Sequence, residues 1–274
     1  MRELGYSEGQ DFVIEDRYAD SQPTRLPEIA AELVRSKVDL ILAPSNPVIK
    51  AAMQETSSIP ILATAPDLLD SGVVTSLAHP GGNVTGISLT AGPAFAEKWV
   101  ELAKELIPDL AKVGVLWNQG SASGAAYMER IRSATSALGV RSQSFGARNP
   151  EEIDRALLEI EAAALNVLIV ETDAMLVSNR AKILEFAARH RLPTIYGNPD
   201  YMPDGGLMAY AASIVDAWRR LATYADKVLK GAKPGDLPVE QATKFRMIVN
   251  LKTAKALGIA IPTSVLLRAD EVIE

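Results

Sequence analysis

The sequence predicts an α/β protein built from two doubly wound parallel-sheet lobes with a hinge, and three observations support this fold class. Short apolar runs alternate with amphipathic helical segments, which is typical of βαβ units. The alternation occurs twice, with no Pro/Ser-rich linker between the two sets. Polar residues follow most of the apolar runs. We therefore predict a first lobe of residues 1–90 plus about 211–245 and a second lobe of residues 91–210 plus about 246–274.

Four apolar runs predict the strands of the first lobe. Residues 12–18 (FVIEDRY) alternate apolar and polar positions, which favours an edge strand. The buried runs that follow are residues 38–43, 60–64 and 84–89. Two helices are predicted between these strands: residues 24–36 place their apolar side chains on one face, and residues 47–55 open with a proline, which the first turn tolerates.

The second lobe repeats the same pattern of strand, polar loop and helix. Its predicted strands are residues 112–117, 141–145, 166–170, 193–196 and 207–210. Its predicted helices are residues 94–107, 122–138, 150–163 and 176–190. The pattern then changes to one long helix over 214–230, a turn-rich segment over 231–238, and a strand followed by a helix across 245–258.

Composition excludes several classes of function. The net charge of −6 repels a phosphate backbone, so we predict no nucleic-acid partner. The chain has no cysteine and two histidines, which excludes disulfides, thiolate nucleophiles and cysteine-ligated zinc and nearly excludes a histidine-rich metal site. Phosphate-binding glycine motifs and a strict Gly-x-Ser-x-Gly are also absent. The sequence therefore predicts no catalytic residue, no metal site and no cofactor.

Polar loops at the ends of the predicted strands are the candidate binding elements. In open α/β sheets ligands bind at the carboxyl ends of the strands, near the unpaired N–H groups of helix N-termini. Ser45 or Asn46, just before Pro47, is predicted to cap a helix whose dipole favours an anion. Glu171 and Asp173 follow a buried strand and would be counter-ions for an ammonium group. Capping and turn formation are the alternative role for every one of these residues.

Six segments spread over the whole chain, in order, resemble the ABC-transporter substrate-binding proteins of the tryptophan/tyrosine-uptake type. They are residues 76–86 (SLAHPGGNVTG), 187–193 (AARHRLP), 205–210 (GGLMAY), 229–238 (LKGAKPGDLP), 250–258 (NLKTAKALG) and 267–273 (LRADEVI). The resemblance implies a fold like that of type I periplasmic binding proteins. It also implies two lobes that close on a small organic ligand, an ABC permease as membrane partner, and a periplasmic or extracytoplasmic location.

The resemblance also implies ligand contacts by position. In the first lobe these are Ser45, Asn46, Ala65, Pro66 and Thr90. In the second lobe they are Asn118, Glu171, Thr172, Asp173, Tyr196 and Asn198. In relatives that take amino acids, the loop matching residues 171–173 would hold the ammonium group.

One departure from the family concerns the start of the chain. Family members carry a signal peptide, a strand and a long helix before the segment that resembles residues 2–9 (RELGYSEG). We therefore expect the first strand of lobe one to be missing, which would leave two unpaired edges beside residues 12–18 and 38–43. We expect rearranged pairing, a second chain in the slot, or a distorted lobe.

Three functions are compatible with these features. The first is a non-enzymatic protein that binds an amino acid or aromatic compound in the cleft between the lobes. The second is an enzyme on the same scaffold, with Glu171 or Asp173 as general base, because fold alone does not fix function. The third is the sensor domain of a transcription regulator, against which the absence of a basic helix-turn-helix segment counts. We favour the first.

Overall fold

The computed structural model describes residues 1–20, 22–90 and 94–274. The strands in chain order are β1 Ile41–Pro44, β2 Ile61–Ala65, β3 Val84–Ser88, β4 Lys112–Asn118, β5 Arg141–Ala147, β6 Val167–Val170, β7 Thr194–Tyr196, β8 Met208–Ala212, β9 Glu240–Gln241, β10 Phe245–Asn250 and β11 Glu271–Ile273. The α-helices are α1 Leu26–Arg35, α2 Asn46–Glu55, α3 Ala94–Leu106, α4 Ala122–Ala137, α5 Pro150–Ala162, α6 Ala174–Ser178, α7 Arg180–Arg189, α8 Ile214–Leu229, α9 Leu251–Leu257 and α10 Thr263–Leu266.

The chain forms two compact units. The first comprises Met1–Thr90 and Ser213–Thr243, and the second comprises Ala91–Ala212 and Lys244–Glu274. The buried runs predicted as strands are confirmed from β1 to β8, with ends that shift by no more than three residues. Two short strands, β9 and β11, and the short helix α10 were not predicted.

The first unit contains a four-stranded sheet in the order β1-β2-β3-β9. All three pairings are parallel, and Ile61 lies between Ile41 and Val84 in the register. One face of the sheet packs Ala63 against Ile49 of α2, and the other packs Leu62 against Leu221 of α8. The buried face of α8 that covers this sheet consists of Ala217, Leu221, Tyr224, Ala225 and Val228.

Gly86 in β3 is required by close packing within this sheet. Its φ is 152°, and a Cβ at this position would lie 2.0 Å from the carbonyl oxygen of Ala63 on the neighbouring strand. Any side chain would force β2 and β3 apart. The register that aligns the two strands thus depends on a residue without a side chain.

The predicted edge strand over residues 12–18 is wrong. In the described part of the chain these residues form no strand, and the one pairing nearby is an isolated bridge between Glu8 and Phe12. Val13 is 75% exposed and Tyr18 is 70% exposed. Alternating residues form an edge strand only beside a partner strand, and no described strand pairs with the outer edge of β1. The first unit therefore lacks a regular five-stranded sheet, and rearranged pairing of the described residues does not fill the expected slot.

The N-terminal segment is fixed to the first unit by a polar contact instead. The Tyr6 hydroxyl donates to Asp226 Oδ1 at 2.7 Å, and Asp226 also pairs with Lys230 at 2.7 Å. Met1 packs against the cluster formed by α8.

The second unit contains a seven-stranded sheet in the order β11-β10-β8-β7-β6-β4-β5. β8 and β10 are antiparallel, and the other pairings are parallel. Alternate residues of β4 and β6 enter different cores: Val115 and Ile169 pack in the cluster that contains Trp99, and Leu116 and Val170 pack in the opposite cluster. Burial on both faces explains why these strands are continuous apolar runs in the sequence.

The helix predicted over residues 176–190 is two helices in the structure. Asp173 caps α6, so the helical region begins two residues earlier than predicted, and Asn179 separates α6 from α7. The long helix predicted over 214–230 is confirmed as α8.

Candidate functional site

The loops after β4, β6 and β7 come together at one edge of the sheet in the second unit. These strands are neighbours in the order β7-β6-β4, and Val170 is aligned with both Leu116 and Tyr196. Parallel strands end at the same edge, so the polar residues that follow each strand lie side by side. The predicted contacts Asn118, Glu171, Thr172, Asp173 and Asn198 all belong to these three strand ends.

Glu171 is a fully buried carboxyl group with one hydrogen bond among the described residues. It is 1% exposed, and its Oε2 accepts the backbone N–H of Asn118 at 3.1 Å. Its Oε1 is buried and has no partner in the described part of the chain. Burial raises the pKa of Glu171 well above its ordinary value, and the charge of Asp173 adds to this rise, while the Asn118 N–H opposes it. This carboxyl group therefore keeps its proton to a higher pH than an ordinary glutamate.

Asp173 has a different role, that of a helix cap. Its Oδ1 accepts the backbone N–H groups of Met175 and Leu176 at 2.8 and 3.2 Å. Its Oδ2 accepts from Nδ2 of Asn118 at 3.0 Å. Capping, the alternative left open for both acids, thus applies to Asp173, whereas Glu171 caps no helix.

Three other predicted residues hold these loops in shape. Oδ1 of Asn118 accepts the N–H of Gly120 at 2.8 Å. Thr172 donates its hydroxyl to the carbonyl of Gly197 at 2.5 Å, which ties the loop after β6 to the loop after β7. Asn198 accepts the N–H of the residue two positions later at 2.8 Å. These side chains fix the backbone around Glu171.

Tyr196 lies in the core of the second unit. It is 1% exposed and stacks on Tyr201, with ring centroids 4.3 Å apart and an interplanar angle of 18°. Burial raises the pKa of its hydroxyl. The resemblance implies a ligand contact at Tyr196, and in the structure its ring packs on Tyr201.

Two residues near Glu171 were not predicted from the sequence. The indole Nε1 of Trp117 is buried without a partner among the described residues. A Cβ on Gly124, in the first turn of α4, would lie 2.9 Å from Cε3 of Trp117 and 3.1 Å from Oε2 of Glu171. Gly124 therefore lets the helix approach the carboxyl group closely. The available signal was a tryptophan immediately before a polar strand end.

The first unit carries the remaining predicted contacts at its own strand ends. Ser45 has φ 77° and ψ 148°, a strained conformation for any residue with a side chain. Ser45 occupies the N-cap position of α2, as predicted, but its side chain makes no capping hydrogen bond. The first turn of α2 keeps its backbone N–H groups uncapped, and Oδ1 of Asn46 is buried without a partner in the described part of the chain.

Ala65, Pro66 and Thr90 form a second strand-end group in the first unit. Ala65 ends β2 and is buried. The carbonyl of Pro66 accepts both the N–H and the hydroxyl of Thr90, at 3.0 and 2.6 Å. The hydroxyl proton of Thr90 is therefore used to hold the loop at Pro66.

No cluster of metal-ligating side chains is present in the described ranges. Among these residues no group of three or more His, Cys, Asp or Glu side chains is arranged to hold a metal ion.

In residues 1–20, 22–90 and 94–274 no helix is long and apolar enough to cross a membrane.

Solved structures share this architecture. A conserved domain protein from Vibrio cholerae superposes with a TM-score of 0.90 at 26% identity, over 99% of this chain and 90% of that chain. A ligand-free, open substrate-binding protein with adhesive properties from Clostridium difficile gives 0.73 at 26% identity, over 99% and 90%. An ABC domain in complex with L-Trp from Streptococcus pneumoniae gives 0.87 at 24% identity, over 99% and 92%. The fold is that of type I periplasmic binding proteins, as predicted.

Sequence comparison identifies the family within this fold class. Residues 1–273 match the model for ABC transporter substrate binding proteins, and the chain belongs to this family. A protein named Tyrosine-binding protein from Clostridioides difficile (strain R20291) is 29% identical over 258 residues, which cover 94% of this chain and 74% of that protein. The resemblance described from the sequence is confirmed, and the chain is a substrate-binding protein of the ABC-transporter class.

Proposed function

We propose that this protein binds an aromatic α-amino acid, without altering it, and delivers it to a membrane permease. The observation that carries the proposal is Glu171, a buried carboxyl group with one oxygen free of any partner among the described residues. A buried acceptor without a partner is costly unless a ligand supplies a donor. An ammonium group supplies donors of the right charge.

The aromatic side chain of the ligand is suggested by the tyrosine-binding relative. In an aromatic amino acid the ammonium and the ring are separated by two carbon atoms, so one end is charged and the other is apolar. The loops after β4, β6 and β7 would hold the charged end. Ser45, Asn46 and the uncapped first turn of α2 fit a carboxylate, because helix N-termini favour anions.

We propose different roles for the predicted contacts in the second unit. Glu171 binds the ammonium group directly. Asn118, Thr172, Asp173 and Asn198 position the loops, because the hydrogen bonds of these side chains are made within the protein. Tyr196 packs beneath them. Ligand contact by Ala65, Pro66 and Thr90 remains a prediction, as does the cleft between the lobes.

The enzymatic alternative rests on the same carboxyl group. A buried acid with a raised pKa is also a feature of general bases. His190, however, follows the last residue of α7, and its ring packs at a tilted angle against Phe186, with the two ring centroids 4.4 Å apart. His79 lies in a loop of the first unit. No group of three or more His, Cys, Asp or Glu residues in the described ranges could hold a metal ion, and the family is one of binding proteins, so we propose binding without turnover.

We propose that the partners are the small ligand and an ABC permease, that the protein works outside the cytoplasm, and that it binds no nucleic acid. Family membership supports the permease and the location. The net charge of −6 supports the last point, because it opposes binding to phosphate backbones.

We also propose self-association through the outer edge of β1. No described strand pairs with this edge, and Leu42 on β1 is 41% exposed. Edges of this kind add strands from other chains. The exposed segment of residues 12–18 has strand-forming side chains and no strand partner, so a second copy of this chain supplies a complementary element.

Light scattering on a sizing column tests self-association. The wild-type protein should form a dimer at high concentration. Leu42→Lys should shift it to monomer, and Leu138→Lys, a matched change of an exposed leucine in the second unit, should leave the dimer intact. A wild-type monomer at every concentration contradicts this part of the proposal.

Calorimetric titration with L-tyrosine, L-tryptophan and L-phenylalanine tests the main proposal. At least one should bind and raise the stability, by about 2.7 kcal/mol at a free concentration 100 times Kd. Mass spectrometry after incubation should recover the ligand unchanged. Failure of every amino acid to bind, or conversion of the bound ligand to another compound, contradicts the proposal.

A further inference from the structure

Glu171 is an acid without a counter-ion. In the described residues no lysine, arginine or histidine forms an ion pair with it. The charged group that acts on it is Asp173, which has the same sign. The remaining polar contact comes from β4, where the Asn118 N–H donates to Oε2.

The surroundings of this acid are the loop after β6, the end of β4 and the first turn of α4. The loop contributes Asp173, β4 contributes the Asn118 amide, and α4 contributes the backbone at Gly124 beside Oε2. An ionised carboxylate at this depth with one hydrogen bond is strongly disfavoured, since a buried group in this position neutralises instead. The pKa of Glu171 is accordingly raised, chiefly by burial. Burial therefore favours the neutral acid, with a proton on one carboxyl oxygen, in the ligand-free protein.

We infer that the amino-acid ligand binds by exchange, with its ammonium group replacing the proton of Glu171 and one proton leaving to the solvent for each ligand bound. The balance is a neutral carboxylic acid plus an ammonium cation giving a carboxylate–ammonium pair plus H⁺. No covalent bond of the ligand changes. The inference rests on the proposed function and adds a requirement to it: the ligand must bring its own positive charge.

The exchange makes the affinity depend on pH in one direction. Below the raised pKa of Glu171, each ligand must displace a proton, so the affinity rises about tenfold for each pH unit. Above that pKa the site is already ionised and the affinity becomes independent of pH. Proton release falls from one per ligand to zero across the same range. If the neutral acid of Glu171 bound the carboxylate of the ligand instead, the affinity would fall as the pH rises.

Calorimetric titration of the wild-type protein with L-tyrosine measures the exchange. At each of several pH values between 5 and 8, the titration is run in two buffers that both have capacity at that pH and whose heats of ionisation differ. The difference in apparent enthalpy gives the number of protons released. We expect a value near one at the lowest pH, a decrease as the pH rises, and a parallel rise and levelling of the affinity.

Two variants test whether the released proton comes from Glu171. Glu171→Gln keeps the shape of the neutral acid and should bind about 10- to 100-fold more weakly, with no proton release. Glu159→Gln, an exposed change on α5, should behave as the wild type does. Proton release that persists in Glu171→Gln overturns the assignment.

The outcomes separate the two proposals. Binding of an amino acid with no proton release and a flat affinity between pH 5 and 8 overturns the exchange and leaves the binding function intact. Affinity that rises as the pH falls also overturns the exchange. Absence of binding by any amino acid overturns the proposed function itself. The wild-type titrations need no variant, so a folding defect in Glu171→Gln does not affect the test.

Discussion

The backbone N–H of Asn118 donates to Oε2 of Glu171 at 3.1 Å, and the two residues are 53 positions apart in the sequence. This hydrogen bond joins the ends of neighbouring strands β4 and β6. It satisfies one carboxyl oxygen and leaves the other for a ligand. The site therefore depends on a contact that the parallel sheet creates.

The pH dependence of stability should change in Glu171→Gln. The pKa of Glu171 is raised in the folded protein, so the folded state binds more protons than the unfolded state above the ordinary carboxyl pKa. The wild-type free energy of unfolding should therefore fall as the pH rises towards the raised pKa, by about 1.4 kcal/mol per pH unit from this group. The variant should lack this fall. Urea denaturation from pH 4 to pH 8 measures both slopes, and parallel curves would refute the assignment.

Asp173→Ala should lower stability more than Asp173→Asn does. The alanine removes the cap from Met175 and Leu176, which costs about 1 kcal/mol, and asparagine caps almost as well as aspartate. Both changes remove a negative charge near Glu171, so both should weaken the binding of an ammonium-bearing ligand several-fold. Thermal denaturation measures the first effect and calorimetry the second. Unchanged affinity in both variants would show that the charge of Asp173 does not contribute to ammonium binding.

Gly86→Ala should destabilise the first unit strongly. The new methyl group would lie 2.0 Å from the Ala63 carbonyl oxygen, on a backbone with φ 152°. Separating two paired strands to relieve this contact should cost about 3 kcal/mol or more. Gly82→Ala is the control, because no atom lies within 4 Å of its added Cβ and its φ is ordinary, so it should change stability by less than about 0.5 kcal/mol. Equal midpoints of urea denaturation would contradict this account of β2–β3 packing.

Tyr6→Phe should release the N-terminal segment from α8. The pKa of Asp226 is lowered by its hydrogen bonds with Lys230 and, second, with Tyr6. The phenylalanine removes the second bond, so the pKa of Asp226 should rise towards its ordinary value. Hydrogen exchange over residues 1–12 should become faster. Tyr18→Phe, which changes an exposed tyrosine, is the control. Identical exchange in Tyr6→Phe and the wild type would show that other contacts hold the segment.

Most of the fold could be predicted from the sequence because buried parallel strands leave a simple pattern. Residues 167–170 (VLIV) are apolar on both faces, as a strand between two helical layers must be. Residues 12–18 show why local pattern fails at an edge, since alternation does not reveal whether a partner strand exists. β9 pairs through only two residues, too few to leave a pattern.

The loops that form the candidate site could be predicted from the sequence, but the role of each residue within them could not. Glu171 and Asp173 are equivalent in the sequence, two acids after one strand. The structure separates them because Asp173 reaches the N–H groups of α6, whereas Glu171 is buried between β4 and α4. Side-chain direction after a strand end depends on neighbouring elements that are distant in sequence. Trp117 and Gly124 were missed for the same reason.

The most direct test of the central claim compares two ligands that differ in one group. L-tyrosine and 3-(4-hydroxyphenyl)propionate share the ring, the chain and the carboxylate, but only tyrosine has the ammonium group. Calorimetry on the wild-type protein should show tyrosine binding about 10- to 100-fold more tightly, and Glu171→Gln should reduce this preference to near one. Equal affinity for both ligands in the wild type, or an undiminished preference for tyrosine in Glu171→Gln, would contradict the claim that Glu171 binds the ammonium group.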